Sequence, residues 1–313
     1  MSNNIRIITA GILSVTIIIL WQNFFQSTED ITNHREQLEG NVVRDREVLV
    51  PYQSNTKNIK FKNYLINGSI NLIGAKVDNL SLLDYKQTTQ DNSKDVVLLS
   101  PVHTRDVYYV EFGWISNDKS IDLPTNESIW SSNKMYIGPY ENAVLSWKNN
   151  QGSEFFIVFT LDENYMFTID QKTLGLDNLK VKPYAAISRS LHSDVHSQML
   201  VHEGIIGIIN NKLQELKFKD LDDKRLDFSS SSNGWFGFVD KYWLTAIIPD
   251  TSSIYTTKFS GYNINNKRRY QADIVMNNNL NSNYNRIHLF LGAKRLNLID
   301  YYQNKYNIKF TKI

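Results

Sequence analysis

Four patterns of hydrophobic and polar positions follow one another along the chain. Residues 7–25, IITAGILSVTIIILWQNFF, contain no charged side chain in 19 positions. As a helix this run spans roughly 28 Å, close to the ~30 Å of a hydrocarbon core. Residues 27–47 are polar and carry both charge signs, from Glu29 and Asp30 to Arg46 and Glu47, with too few apolar residues to bury. From about Val48 the period becomes two, as in Tyr165, Phe167 and Ile169 alternating with Met166, Thr168 and Asp170. At the end, AKRLNLIDYYQNKY (293–306) returns to helical spacing, with Leu296, Ile299, Tyr302 and Tyr306 on one face.

The middle pattern predicts strands joined by turns. Asn67-Gly68, Asn149 to Gly152, and Asn210-Asn211 each divide two apolar runs and read as hairpins. The densest stretch is GWFGFVDKYWLTAIIPD (234–250), which follows a serine run and an Asn-Gly signal at Asn233. Its aromatic and β-branched residues predict paired core strands, with Asp240 and Lys241 at the turn between them. No helix of convincing length interrupts residues 48–292, so the reading is mostly β: a large antiparallel sandwich of two stacked sheets. Lack of an internal repeat excludes a propeller.

The apolar run reads as a membrane anchor rather than a cleaved signal, because WQNFFQ after Leu20 offers no small-residue cleavage site. Arg6 before the run, against Glu29 and Asp30 after it, puts residues 1–6 in the cytoplasm and the bulk of the chain outside it. The domain expectation is therefore a tail 1–6, an anchor 7–25, a polar linker 26–47, a sandwich 48–292 and a terminal helical segment 293–313.

Composition narrows the chemistry. Lys plus Arg is 34 and Asp plus Glu 32, a net charge of +2 without a basic block, so nucleic acid is not an expected partner. There is no cysteine, which removes disulfides and thiolate metal sites. His192, His196 and His202-Glu203 lack the HExxH order of a zinc helix, and Ser188, Asp194 and His196 lack the GxSxG elbow of a nucleophile. Phosphate-binding glycine motifs are missing, and Gly204 and Gly207 read as points of close strand approach. No catalytic, metal or cofactor residue is assigned. Trp114, Trp130, Trp147, Trp235 and Trp243 invite an alternative, a sugar- or ligand-binding cleft, against which stands ordinary core packing.

Ordered along the chain, LWQNFF, NGSINLIGAKVDNLSLLDYKQT, VVLLSP, YYVEFGW, LSWKN, ENYMFTIDQ, HEGIIGIINNKLQEL, GWFGFVDKYWLTAIIPD and LFLGAKRLNLIDYY resemble the amino-terminal portion of the YidC membrane protein insertases of the Oxa type. The resemblance covers nearly all 313 residues. It implies a periplasmic β-supersandwich, similar in fold to galactose mutarotases, closed by a short helix before a second membrane span. It implies an inner-membrane, non-enzymatic protein working with nascent membrane proteins, the Sec translocon and its accessory subunits, and the lipid bilayer. His202, Glu203, Gly204, Gly234, Trp235, Gly237, Asp240, Lys241, Tyr242, Trp243 and Pro249 are its structural signature here. Leu296, Ile299, Tyr302 and Tyr306 are the candidate partner-contact face. The family's arginine-bearing insertion groove has no counterpart in this sequence, since no second apolar run of spanning length follows Phe25.

Overall fold

A computed structural model describes residues 58–104, 106–176, 180–191, 203–222, 224–264, 267–277 and 284–310. The chain divides into two compact units, Met1–Val48 and Leu49–Ile313. The expected anchor and linker, and His192, Asp194, His196 and His202, lie outside the described residues. No helix among the described residues is long and apolar enough to cross a membrane.

The second unit is two stacked sheets, with strands numbered in chain order. The ten-stranded sheet runs β14 (Arg225–Ser231), β17 (Ile254–Ile264), β18 (Lys267–Asn277), β11 (Lys182–Leu191), β5 (Tyr108–Ile115), β3 (Lys76–Lys86), β2 (Ile66–Asn71), β1 (Asn58–Lys62), β7 (Tyr136–Ile137), with β4 (Asp95–Leu99) also on β3. The nine-stranded sheet runs β13 (Lys212–Lys217), β12 (Gly204–Ile209), β15 (Trp235–Val239), β16 (Trp243–Pro249), β19 (Tyr284–Ala293), β10 (Met166–Leu174), β9 (Glu154–Leu161), β8 (Asn142–Lys148), β6 (Ser131–Ser132). Pairing among these strands is antiparallel except for the short contact of β1 with β7.

Alternation along each strand sends one set of residues between the sheets. In β9, Phe155, Ile157, Phe159 and Leu161 are buried while the residues between them are partly exposed. Rings from opposite sheets meet edge to face: Phe61 on Phe167 at 5.0 Å, Phe112 on Phe159 at 5.5 Å, and Trp114 on Phe155 at 5.1 Å. Such contacts add to the burial of large apolar area that drives the stacking.

The turn at Asn210-Asn211 is as read, with φ of 51° and 61°, the left-handed pair that a two-residue hairpin needs. Asn149 also closes its hairpin, its Oδ1 accepting from the amides of Gln151 and Ser153. The Asn67-Gly68 reading is corrected. Both residues lie inside β2, paired with Lys62 and Phe61 of β1. The turn is made four residues earlier, where Asn63 Oδ1 accepts from the amides of Leu65 and Ile66. Gly68 is small because a Cβ there would strike the Asn79 carbonyl of β3 and then the Phe61 ring.

The terminal helix, α1, is Leu296–Tyr306. It begins three residues later than the 293–306 periodicity suggests, because Ala293 is still paired with Trp243 in the sheet. Asn307, at φ 52°, ends it in the left-handed conformation.

Candidate functional site

The stretch 234–250 serves both faces of its sheet. In β15, Phe236 and Phe238 point between the sheets, where they meet Phe259 at 5.4 Å and Tyr108 at 6.2 Å. Trp235 and Gly237 belong to the opposite, outer face. There the Trp235 indole lies 4.8 Å from the Phe310 ring, and its Nε1–H donates to the Lys309 carbonyl at 2.9 Å. Phe310 in turn packs on Phe290 of β19 at 6.0 Å. The outer face is therefore apolar because α1 and the residues after it lie on it.

Gly292 makes that face shallow enough, since a Cβ there would overlap the ring of Tyr165, whereas one on Gly237 would strike the neighbouring strand at Thr245 and Ala246. Tyr165 rests instead against the bare backbone of β19, 5.8 Å from Phe290. Burial pushes its hydroxyl up to about 12.

Tyr302 locks the helix down. It is fully buried, its ring 5.9 Å from Phe290 and 6.0 Å from Tyr306. Its hydroxyl donates to Asp162 Oδ2 at 2.6 Å and accepts the Tyr165 amide at 3.1 Å. Asp162 Oδ1 accepts the amides of Asn164 and Met166, which fixes the β9–β10 turn. Asn63 Nδ2 donates to the carbonyls of Asp162 and Asn164, so the β1–β2 turn joins the same knot. Burial raises the Asp162 carboxyl above the usual range, opposed first by the Tyr302 hydrogen bond and then by the turn amides. It raises the Tyr302 hydroxyl too, reinforced by the Asp162 charge.

The rest of the helix follows. Tyr306 covers His288 at 4.0 Å, and burial, helped by the nearby Arg286 charge, holds that imidazole down at about 4. At the helix start, Arg295 donates to Tyr85 Oη at 3.0 Å and pairs with Asp84 of β3, tying α1 to the ten-stranded sheet.

This geometry corrects the partner-contact face. Ile299 and Tyr302 are buried in the protein's own core, and Tyr306 is half-buried on His288. Only Leu296, at 75% exposure, is open to a partner. The apolar stripe that helical spacing revealed is spent on the sandwich. Tyr301, on the neighbouring face, is exposed instead.

The signature residues take structural places. Asp240 Oδ1 accepts the amides of Tyr242 and Trp243 and so closes the β15–β16 turn. Asp240 and Glu203 hold the Arg189 guanidinium at 3.6 and 3.5 Å, and that group stacks on Tyr108 at 4.9 Å. Gly204 and Gly234 lie against the main chain of Leu216 and Ile208. Lys241 covers the exposed Tyr242 ring, Trp243 packs on Tyr85 at 4.8 Å, and Pro249 ends β16 beyond its β15 partners. Trp114, Trp130 and Trp235 are buried, and Trp147 and Trp243 pack against the core. These five tryptophans fill space in or against the core.

Sequence reading missed Asn63, Asp162, Gly292 and Arg295. Asp162 and Asn164 carry a local turn signal, but Tyr302 is 140 residues away from Asp162, and no spacing rule links them.

Fold and seat together define a two-sheet β-supersandwich with the helix α1 packed on its outer face. A profile of the YidC periplasmic domain matches residues 58–311. The chain is 36% identical to the membrane protein insertase YidC of Rickettsia bellii, covering 99% of this chain and 58% of that protein. It is 34% identical to the one of Rickettsia felis, covering 99% and 59%. The chain belongs to the YidC family, and it spans just under three-fifths of the length of these relatives. The galactose mutarotase related enzyme of Lactobacillus acidophilus is a distant likeness, at TM-score 0.48 and 8% identity over 75% of this chain and 97% of that one.

Proposed function

We propose that this chain is the membrane tether and periplasmic interaction domain of a membrane protein insertase. The insertase works on nascent inner-membrane proteins, alone or beside the Sec translocon and its accessory subunits. In this reading residues 7–25 cross the inner membrane with residues 1–6 in the cytoplasm, residues 26–47 are the linker, and the sandwich from residue 48 onward stands in the periplasm. In this reading the domain is a scaffold, and among the described residues no group of His, Asp and Glu could hold a metal ion. One observation supports the reading above others: the family match spans the sandwich and α1 together, and Tyr302 and Trp235 bind the two into one body.

A photo-crosslinking side chain at Leu296, compared with one at Ile254, tests it. Adducts with inserting membrane proteins or Sec subunits are expected at the first. Adducts equal at both positions, or with none of these proteins, contradict it. Protease added to spheroplasts tests the topology: digestion before inner-membrane lysis is expected, and digestion only afterwards refutes it.

A further inference from the structure

One end of the sandwich is a ridge of tyrosines. The β1–β2 turn, the β9–β10 turn, the β15–β16 turn and the start of α1 meet there. Asn63 bridges to the carbonyls of Asp162 and Asn164, Tyr302 reaches Asp162, and the Lys294 amide donates to the Tyr242 carbonyl at 2.9 Å. Five of the twelve exposed large apolar side chains among the described residues sit on this ridge: Tyr64, Tyr140, Tyr242, Leu296 and Tyr301. Tyr64 is 86% and Tyr140 64% exposed. Tyr140 belongs to it because its amide donates to the Leu161 carbonyl at 2.6 Å. Burial and then the Glu163 carboxylate raise its hydroxyl, and Lys305 opposes them.

Cations ride on these rings. Lys241 lies 4.9 Å over Tyr242 and Lys305 lies 5.3 Å over Tyr301. The carboxylates of Asp84 and Asp240 are engaged by Arg295 and Arg189. This ridge is made of turns, and four of its five exposed apolar side chains are tyrosines. Amphipathic rings with ammonium groups beside them match the headgroup layer of a bilayer, where ring bodies sink and hydroxyls and charges stay wet.

We infer that this tyrosine ridge rests on the periplasmic surface of the lipid bilayer, with Tyr64, Tyr140 and Tyr301 at headgroup depth. The inference rests on the tether proposed above. The polar stretch of residues 27–47 reaches at most about 75 Å when fully extended. The domain is thereby kept at high effective concentration beside the membrane, so a weak contact per ring suffices. Lys305 and Lys241 favour anionic headgroups over neutral ones.

The absence of cysteine makes the test clean. The full chain carrying Tyr64→Cys, Tyr301→Cys or Ile254→Cys is labelled with an environment-sensitive fluorophore. It is then reconstituted in phosphatidylcholine vesicles with and without phosphatidylglycerol. Ile254 is also exposed, but it follows the far end of β16 and lies at the opposite end of the sandwich. The expected result is a blue shift and quenching by headgroup spin-labelled lipid at Tyr64 and Tyr301, larger with phosphatidylglycerol, and none at Ile254. Carbonate extraction separates the two readings. A chain that resists carbonate while its ridge labels stay aqueous, or while all three respond alike, overturns the ridge and leaves the tether. A chain released by carbonate overturns both.

Discussion

Removing one oxygen from Tyr302 tests the lock on α1. Tyr302→Phe keeps the ring against Phe290 and Tyr306 but takes away the hydroxyl that Asp162 Oδ2 and the Tyr165 amide share. A hydrogen bond to a charged group contributes about 1.5–3 kcal/mol, and an orphaned buried amide costs at least about 1 kcal/mol more. The sum is about 3 kcal/mol. For a domain of this size about 1 kcal/mol moves the midpoint by roughly 2 °C, so a fall of about 6 °C is expected in thermal unfolding. Amides of residues 296–306 should exchange faster than those of β9, since the helix is held by this contact while the inner sheet core is untouched. The loss should shrink under acid, because a protonated Asp162 is cheaper to leave without a donor. A midpoint within about 1 °C of the native protein, with unchanged exchange in α1, would show that the hydroxyl holds nothing and that packing alone seats the helix.

Other outcomes follow from the same contacts. Ile299→Ala should cost about 2–4 kcal/mol and Leu296→Ala less than about 0.5, a contrast read from urea midpoints. Gly292→Ala should displace Tyr165 and lower stability by more than about 1 kcal/mol, with the change visible in near-ultraviolet circular dichroism. Two buried groups titrate in opposite senses. His288 is held down at about 4 from its ordinary 6.5, so the stability due to its neutral form is present above pH 6.5 and is lost as pH falls toward 4, about 3 kcal/mol in all. Asp273 is pushed up to about 6 from 3.8 by burial, so its contribution is full below pH 3.8 and is lost as pH rises through 6, again about 3 kcal/mol. Relative to the native protein, His288→Gln should gain stability between pH 7 and pH 4.5 and Asp273→Asn should lose it. Parallel curves for all three proteins would refute the assignment.

Much of the sandwich was legible because its strands bury one face and keep the period of two, as Phe155 to Leu161 do. Turns that need left-handed backbone, such as Asn210-Asn211, were equally plain. Asn67-Gly68 misled because a glycine can answer a neighbouring ring as well as a turn. Nothing in the dipeptide says that Phe61 lies above it. The terminal helix was legible as amphipathic, but amphipathicity shows only that one face is covered, not by what. Its partner is the outer face of its own sheet, prepared by Trp235 far away in the chain and by Gly292 just ahead of the helix. The knot of Asn63, Asp162 and Tyr302 joins three distant segments and has no local signature. The signature stretch was recognisable by its aromatic density, and only the structure divides its rings between the inner core and the helix seat.

As proposed above, this chain supplies the periplasmic part of an insertase, and that part depends on α1 being seated on the sandwich. The most direct measurement replaces the matching segment of the Rickettsia bellii insertase with this chain. Growth and membrane-protein insertion are then scored in a strain depleted of its own insertase. The chimera should restore both, a version with Ile299→Asp should lose both, and a version with charge swaps in the polar linker should behave like the parent. A folded, membrane-integrated chimera that restores neither, or an Ile299→Asp version that works as well as the parent, would contradict the account.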